Sequence, residues 1–217
     1  MKATSLNRSA SGPPPPLGGV TGGIVAPAAI LTTLGLEVLE REGPAREIAV
    51  MWWLHAHVPP LVASVSQTLN TIGGPFVTFP LMVLLPLVLW WRGGRRLAAF
   101  AFAALWSATA LQWALKALVG RPRPELWPPD LPVSGLSFPS GHATTAAALA
   151  LVVTLLAWRT RWRWPALILG GVYAVVMALS RVVLGVHYPT DVVAGICTAI
   201  LGVTAVSFLT RHPWSPS

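Results

Sequence analysis

The chain has 217 residues, of which 54% are hydrophobic and only 10% are charged. Soluble domains carry about 25% charged residues, so this composition favours a membrane protein over a soluble one. The formal net charge of +8 comes from short clusters between apolar stretches, which is typical of membrane topology and not of a nucleic-acid-binding surface. The single cysteine excludes an intrachain disulfide.

Six apolar stretches are long enough, or nearly so, to cross a membrane as helices, since a spanning helix needs about 20 residues. These stretches cover residues 20–36, 74–91, 97–115, 141–158, 164–181 and 190–210. We interpret the first as an uncleaved helix, with a signal peptide as the alternative. The sequence therefore predicts an all-α fold, a bundle of six transmembrane helices.

The segments outside these stretches suggest a simple domain division. Residues 9–19 are rich in Pro and Gly, so we expect a disordered cytoplasmic N-terminus over residues 1–19. A single transmembrane domain then covers residues 20–211, and a cytoplasmic tail covers residues 212–217.

The segment between the first and second spans, residues 37–73, is less regular. It contains two tryptophans, two histidines and a break at Pro59 and Pro60. Tryptophan favours the headgroup level of a bilayer, so we interpret the segment as one or two interfacial helices. An additional buried helix is the alternative.

Basic and acidic residues are distributed unequally between the two ends of the predicted helices. The basic clusters before span one, between spans two and three, between spans four and five, and after span six all fall on one side. All seven acidic residues fall on the other side. The positive-inside rule makes the basic side cytoplasmic. We therefore expect an inner (plasma) membrane protein whose acidic side faces the periplasm or the cell exterior.

Three polar clusters, residues 116–124, 138–142 and 180–191, lie at helix ends on the predicted outer side. Ionisable groups at a membrane edge are costly and therefore indicate function. Cations on the outer side also run against the positive-inside rule. Both observations indicate an anionic ligand.

The first cluster carries Lys116, Arg121 and Arg123, and its two prolines end the helix. Arginine offers a planar fork that matches phosphate oxygens, whereas lysine supplies a point charge. Snorkelling of these cations to lipid headgroups is the alternative interpretation.

The second cluster reads Phe-Pro-Ser-Gly-His and ends at His142. Ser140 and Gly141 precede an apolar run and indicate a helix start, whose backbone N–H groups can bind an anion. His142 could then offer a proton to a leaving oxygen. An ordinary helix cap is the alternative.

The third cluster places Arg181 six residues before His187 and Asp191 four residues after it. A carboxylate beside one imidazole nitrogen fixes the tautomer and leaves the other nitrogen free as a nucleophile or base. Alternatively, Asp191 could merely neutralise Arg181.

Together the clusters fit the pattern K-x6-R-P, then P-S-G-H, then S-R-x5-H-x3-D at every position. In this order and topology, the chain resembles the type 2 phosphatidic acid phosphatase (PAP2) superfamily over nearly its whole length. The matching residues are Lys116, Arg123, Pro124, Pro139, Ser140, Gly141, His142, Ser180, Arg181, His187 and Asp191.

The resemblance implies a role for each of these side chains. His187 would attack phosphorus, Asp191 would orient it, and His142 would act as acid and then as base. The phosphoryl oxygens would be held by Lys116, Arg123, Ser140, Gly141 and Arg181. Arg121 is a weaker candidate because it falls at a variable position of the motif. We expect no cofactor and no metal, because the sequence shows no carboxylate cluster or His/Cys spacing for one.

The expected partners are the membrane and a lipid phosphate or pyrophosphate, with no nucleic acid. The resemblance suggests undecaprenyl pyrophosphate, slightly favoured, phosphatidylglycerol phosphate or phosphatidic acid. A lipid phosphotransferase using the same site is one alternative function. A non-enzymatic lipid-phosphate carrier is another, although it would not require the pair of His187 and Asp191.

Overall fold

The computed structural model describes residues 20–40, 44–127 and 134–210. The predicted disordered segment 1–19 and tail 212–217 lie outside the described residues. Over the described ranges every regular element is helical, which confirms the all-α prediction. A π-helical turn, Thr21–Val25, leads into the first of eight α-helices. The helices are α1 Ala26–Leu39, α2 Pro44–His57, α3 Pro60–Ile72, α4 Pro75–Trp91, α5 Arg95–Val119, α6 Gly141–Ala157, α7 Arg163–Val183 and α8 Pro189–Leu209.

Each of the six predicted spans coincides, to within one residue at its ends, with helical structure, the first including the π-helical turn Thr21–Val25. The exact number of membrane crossings is not confirmed. Four helices in the described ranges have the length and hydropathy of a span: Thr21–Leu39, Arg95–Val119, Arg163–Val183 and Pro189–Leu209. Helices α4 and α6 are apolar but have only 17 residues each. At 1.5 Å per residue, 17 residues extend about 26 Å, slightly less than the hydrocarbon core.

The irregular segment between the first two spans forms two helices, α2 and α3. Together they have the composition of a span, but they are bent by 116° at their junction. Pro59 is extended there and Pro60 begins α3, and a proline cannot continue the hydrogen-bond ladder of a preceding helix. The bent pair is either a broken span or a re-entrant loop, and its interfacial position stays a prediction.

Helix α8 lies at the centre of the bundle and contacts α1, α5, α6 and α7. Small residues allow the helices to approach closely, as is common in membrane bundles. At Gly202 of α8, an added Cβ would lie 2.8 Å from the Cα of Ala108 in α5. This packing brings the ends of α5 and α7 and the beginnings of α6 and α8 to one end of the molecule.

The opposite end carries several tryptophans, an arrangement typical of an aromatic belt at a membrane boundary. The guanidinium groups of three arginines lie over neighbouring tryptophan rings at 5.2–5.3 Å: Arg95 on Trp90, Arg161 on Trp162 and Arg163 on Trp164. Trp158 differs from the others because it is buried, with 8% of its surface exposed. It packs edge-on against another tryptophan of the belt.

The contact between α5 and α8 gives a stability prediction. In Gly202→Ala the new methyl group would meet backbone atoms of Ala108, so we expect a loss of about 1–3 kcal/mol from overpacking. The measurement is thermal unfolding in detergent. Gly171→Ala is the matched control, because an added Cβ there meets no atom within 4 Å. Equal unfolding temperatures for the two variants would contradict this account of the contact.

Candidate active site

A cavity of about 350 Å³ lies between α4, α5 and α6 at the end of the bundle that carries the three polar clusters. Five of the eight predicted site residues line it: Lys116, Arg123, Gly141, His142 and His187. The other three, Ser140, Arg181 and Asp191, are almost completely buried, with at most 2% of their surface exposed. The structure therefore brings the three clusters together.

His187 lies between two groups that together determine its tautomer. Its Nε2 is 3.1 Å from Nη1 of Arg123, and its Nδ1 is 3.4 Å from Oδ2 of Asp191. A guanidinium can only donate hydrogen bonds, so Nε2 must accept and carries no proton. The proton then lies on Nδ1, facing the carboxylate. Burial lowers the pKa of His187 to about 3, which keeps the imidazole neutral near neutral pH.

The carboxylate of Asp191 is fully buried and receives hydrogen bonds from several directions. Oδ1 accepts from Arg121 Nη1 at 2.8 Å, and Oδ2 accepts from the backbone N–H of Tyr188 at 2.8 Å and from the hydroxyl of Ser137. Through the bond from Tyr188, the side chain of Asp191 satisfies the backbone N–H of the residue that precedes α8. Asp191 thus contacts His187 and is paired with Arg121, whereas Arg181 donates a hydrogen bond to Asn70.

Arg121, a weaker candidate from the sequence, is the main cationic partner of Asp191. Its Nη2 donates to Oε1 of Glu47 in α2 at 2.6 Å, and its guanidinium lies 3.8 Å from the centre of the Tyr188 ring. Burial opposes the charge of Arg121, but Asp191 and Glu47 outweigh burial and raise its pKa above the usual value. Arg121 does not line the cavity, so it contacts Asp191 from the side that faces away from the cavity.

Glu47 also fixes the start of α8. Its Oε2 accepts hydrogen bonds from the backbone N–H of Thr190 at 3.0 Å and from the hydroxyl of Thr190 at 2.7 Å. A carboxylate near a helix N-terminus interacts favourably with the helix dipole. The contacts of Glu47 therefore connect α2 to the residues that hold His187 and Asp191.

Asn70, near the end of α3, contacts two predicted site residues. Its side-chain oxygen accepts from Nη1 of Arg181 at 2.6 Å, and its backbone oxygen lies 3.1 Å from Nε2 of His142. A carbonyl oxygen can only accept, so Nε2 of His142 carries a proton. Among the two histidines of the site, His142 thus has a proton on Nε2, whereas His187 has a lone pair there.

Two buried polar atoms of the site have no hydrogen-bond partner among the described residues: the hydroxyl of Ser140 and Nε of Arg181. A buried unsatisfied polar group costs about 1–3 kcal/mol. Arg181 Nε requires an acceptor, and an oxyanion would supply one. Both residues had been predicted as phosphate ligands, so these atoms fit an anionic ligand.

The sequence reasoning missed Glu47, Asn70 and Ser137, and undervalued Arg121. Arg121 carried a usable signal, since it is a third cation next to two motif residues. The other three had no such signal, because they come from segments with no recognisable spacing. Over residues 20–40, 44–127 and 134–210, no group of three His, Cys, Asp or Glu side chains is arranged to hold a metal ion.

Comparison with known proteins agrees with this geometry. The chain is 48% identical to the decaprenylphosphoryl-5-phosphoribose phosphatase of Mycolicibacterium smegmatis over 104 residues, which are 46% of this chain and about half (51%) of that protein. It is 34% identical to the protein of the same name from Mycobacterium tuberculosis over 173 residues, which are 76% of this chain and 90% of the relative.

The fold also matches a solved membrane protein. The crystal structure of a transmembrane PAP2-type phosphatidylglycerolphosphate phosphatase from Bacillus subtilis superposes with a TM-score of 0.73 and 23% identity, covering 85% of this chain and 96% of the other. Independently of this likeness, the four described helices of spanning length and hydropathy support an integral membrane protein. The sequence profile of the PAP2 superfamily matches residues 96–213, which include all three polar clusters. The chain therefore belongs to the PAP2 superfamily, as an enzyme of the PAP2 phosphatase type.

Proposed function

We propose that the chain is a membrane lipid phosphatase that works through a phosphohistidine intermediate. The observation that carries the proposal is the pair of histidines on one cavity: His187 with an unprotonated Nε2, and His142 with a protonated Nε2. The lone pair on Nε2 of His187 is what a nucleophile needs, and His142, whose Nε2–H is held by the backbone oxygen of Asn70, can act as the general acid when its Nδ1 carries a second proton. The cations Lys116 and Arg123 line the same cavity.

In the first step, Nε2 of His187 attacks phosphorus. The new N–P bond forms while the P–O bond to the leaving group breaks, and His142, in its doubly protonated form, gives its Nδ1 proton to the leaving oxygen and becomes neutral. The phosphorylated ring keeps its Nδ1 proton and becomes positively charged. The carboxylate of Asp191, 3.4 Å from Nδ1, stabilises this charge.

In the second step, a water molecule attacks phosphorus and transfers a proton to His142. The N–P bond breaks, inorganic phosphate leaves, and both histidines return to their starting states. Acid–base catalysis of this kind contributes about 10²–10⁴-fold to the rate. During both steps Lys116, Arg123, Arg181, the Ser140 hydroxyl and the Gly141 N–H hold the phosphoryl oxygens. Their stabilisation of the developing charge is usually the largest contribution.

The location of the site supports the outer face of the plasma membrane as its place of action. The site lies at the opposite end of the bundle from the connections that carry Arg92, Arg95, Arg159, Arg161 and Arg163. These connections are cytoplasmic by the positive-inside rule. A cavity between apolar helices suits a substrate whose phosphate enters while its tail stays in the bilayer, as the names of the mycobacterial relatives suggest for those proteins.

Phosphate release by detergent-purified protein tests the function directly. The panel contains phosphatidic acid, phosphatidylglycerol phosphate and undecaprenyl pyrophosphate, each measured with and without EDTA. We expect release of inorganic phosphate that persists in EDTA, because arginine and lysine neutralise the charge that a metal ion would otherwise neutralise. Activity that is lost in EDTA and restored by Mg²⁺ would contradict this scheme. Transfer of the phosphoryl group to an added alcohol without release of phosphate would indicate the phosphotransferase alternative.

Trapping of the intermediate tests the roles of the two histidines. With an aryl phosphate, whose leaving group needs no protonation, we expect His142→Ala to form a phosphoenzyme and to hydrolyse it slowly. His187→Ala should form none. Acid-labile ³²P on the protein, measured after a rapid quench, distinguishes the two variants. A normal level of label in His187→Ala would overturn the assignment of the nucleophile.

The role of Arg121 gives a third prediction. Arg121→Lys cannot maintain both the bond to Asp191 and the bond to Glu47, because lysine lacks the planar fork. The loss of one bond to a charged group, about 1.5–3 kcal/mol, corresponds to a fall of about tenfold to a hundredfold in kcat. KM should change little, because Arg121 does not line the cavity.

Arg46→Lys is the matched control for this experiment, because Arg46 is exposed on the same helix as Glu47. Both kinetic constants should be unchanged in the control. A rise in KM with unchanged kcat in Arg121→Lys would instead indicate that Arg121 binds the substrate.

A further inference from the structure

Beyond the cationic residues, the cavity extends along the helices into the bundle, and its lining changes from charged to neutral side chains. In α5, Gln112 and Thr109 follow one and two turns inward from Lys116, about 6 and 10 Å along the helix axis. Thr145 lies one turn inside α6, and Thr78 one turn inside α4. These four residues line the cavity and are at most 8% exposed. We call Gln112, Thr109, Thr145 and Thr78 the neutral tier.

The three threonines of the neutral tier present acceptors to the cavity. Each hydroxyl donates its proton to the carbonyl oxygen four residues earlier in its own helix, at 3.0 Å in all three cases. A hydroxyl has one proton and two lone pairs, so each oxygen can still accept a hydrogen bond but has no proton left to donate. A ligand satisfies such oxygens best with hydroxyl groups of its own.

The fourth residue, Gln112, adds an amide to the tier. Its Nε2 makes a long hydrogen bond, 3.4 Å, to the backbone oxygen of Pro139. The amide has a second N–H and a carbonyl oxygen, so it can pair with either the proton or the oxygen of a ligand hydroxyl. A hydroxyl group therefore matches all four residues of the tier.

An ionised phosphate matches the tier poorly. Among the described residues that line the cavity, the lysine and arginine residues are Lys116 and Arg123, and both lie at its outer end. A second phosphate group placed one turn deeper would meet three acceptor oxygens and no cation. A phosphate without a protonated oxygen only accepts hydrogen bonds, and an uncompensated buried charge costs several kcal/mol.

We propose that the neutral tier binds a hydroxyl-bearing linker, such as a glycerol or a pentose, between the scissile phosphate and the lipid tail. The inference rests on the proposed function and narrows its substrate class. The preferred substrate is a terminal phosphomonoester on a hydroxylated linker, and a polyprenyl pyrophosphate is disfavoured. A cavity of about 350 Å³ is at the small end of ligand sites, which suits a headgroup without its tail.

Matched substrates test the proposal on the unaltered protein. The central pair is 1-oleoyl-glycerol 3-phosphate and its analogue lacking the 2-hydroxyl, which have the same charge and the same tail. An oleyl riboside 5-phosphate replaces glycerol by a pentose, and farnesyl pyrophosphate supplies a second phosphate without a hydroxyl. We expect kcat/KM for the hydroxylated substrates to exceed that for the deoxy analogue and for the pyrophosphate at least about tenfold, because sites built for a hydroxyl reject analogues lacking it.

Variants then assign the preference to the tier. The double change Thr109→Val and Thr145→Val keeps the side-chain shape and removes two acceptor oxygens, so the ratio of kcat/KM within the matched pair should fall towards one. Thr198→Val is the control. Thr198 is buried in α8 outside the cavity and makes the same kind of bond, to the backbone oxygen of Ala194 at 2.7 Å. The control should keep the ratio of the unaltered protein.

The outcomes separate this inference from the proposed function. If the unaltered protein releases phosphate equally well from both members of the pair, or prefers the pyrophosphate, the inference is overturned while the phosphatase stands. A preference that survives the double change also overturns the assignment to the tier. No phosphate release from any substrate contradicts the proposed function itself. A difference between the glycerol and pentose substrates identifies the linker.

Discussion

The site depends on one buried charge, the carboxylate of Asp191. An ion removed from water costs several kcal/mol unless it is paired and hydrogen-bonded. Here the partners come from the loop after α5, from the turn before α6 and from the start of α8. Because each partner is needed to compensate the charge, the carboxylate holds these three elements in one arrangement. The orientation of His187 follows from that arrangement.

The ion pair between Asp191 and Arg121 also connects the site to the bent pair of helices, α2 and α3. Arg121 neutralises Asp191 and is itself paired with Glu47 in α2, while Asn70 in α3 contacts Arg181 and His142. The side of the site that carries His187 is thus connected to α2, and the side that carries His142 is connected to α3. A segment without any motif residue therefore contacts both sides of the candidate site.

The sequence predicted the helical class and singled out the eight candidate site residues that the structure brings together, because apolar length and motif spacing are local properties of the chain. It also indicated the break at Pro59 and Pro60, since proline acts on its own backbone. The contacts of Glu47, Asn70 and Ser137 could not be predicted in this way. Each joins residues at least 50 positions apart, and such contacts arise only from the packing of α2, α3 and the loop before α6. The neutral tier was hidden for the same reason, since its members come from three helices.

The cavity separates two kinds of recognition along its length. The outer end is lined by the cationic side chains of Lys116 and Arg123 and by the two histidines, whereas the described residues at the inner end have only neutral side chains. Charge attracts any phosphate, so it contributes little to discrimination between lipids. If the proposed function holds, discrimination comes from the neutral part, where a mismatched group leaves buried atoms without partners.

The short length of α4 and α6, both of which line the cavity, has a consequence for the surrounding lipid. A bilayer adapts to a hydrophobic span shorter than its core by becoming locally thinner, at a cost of fractions of a kcal/mol per ångström of mismatch. This thinning would produce a dimple in the bilayer beside these two helices and bring lipid headgroups towards the level of Lys116. A phosphate in that dimple would have less apolar depth to cross than one in the undisturbed leaflet. The bilayer itself would then become part of the route into the enzyme.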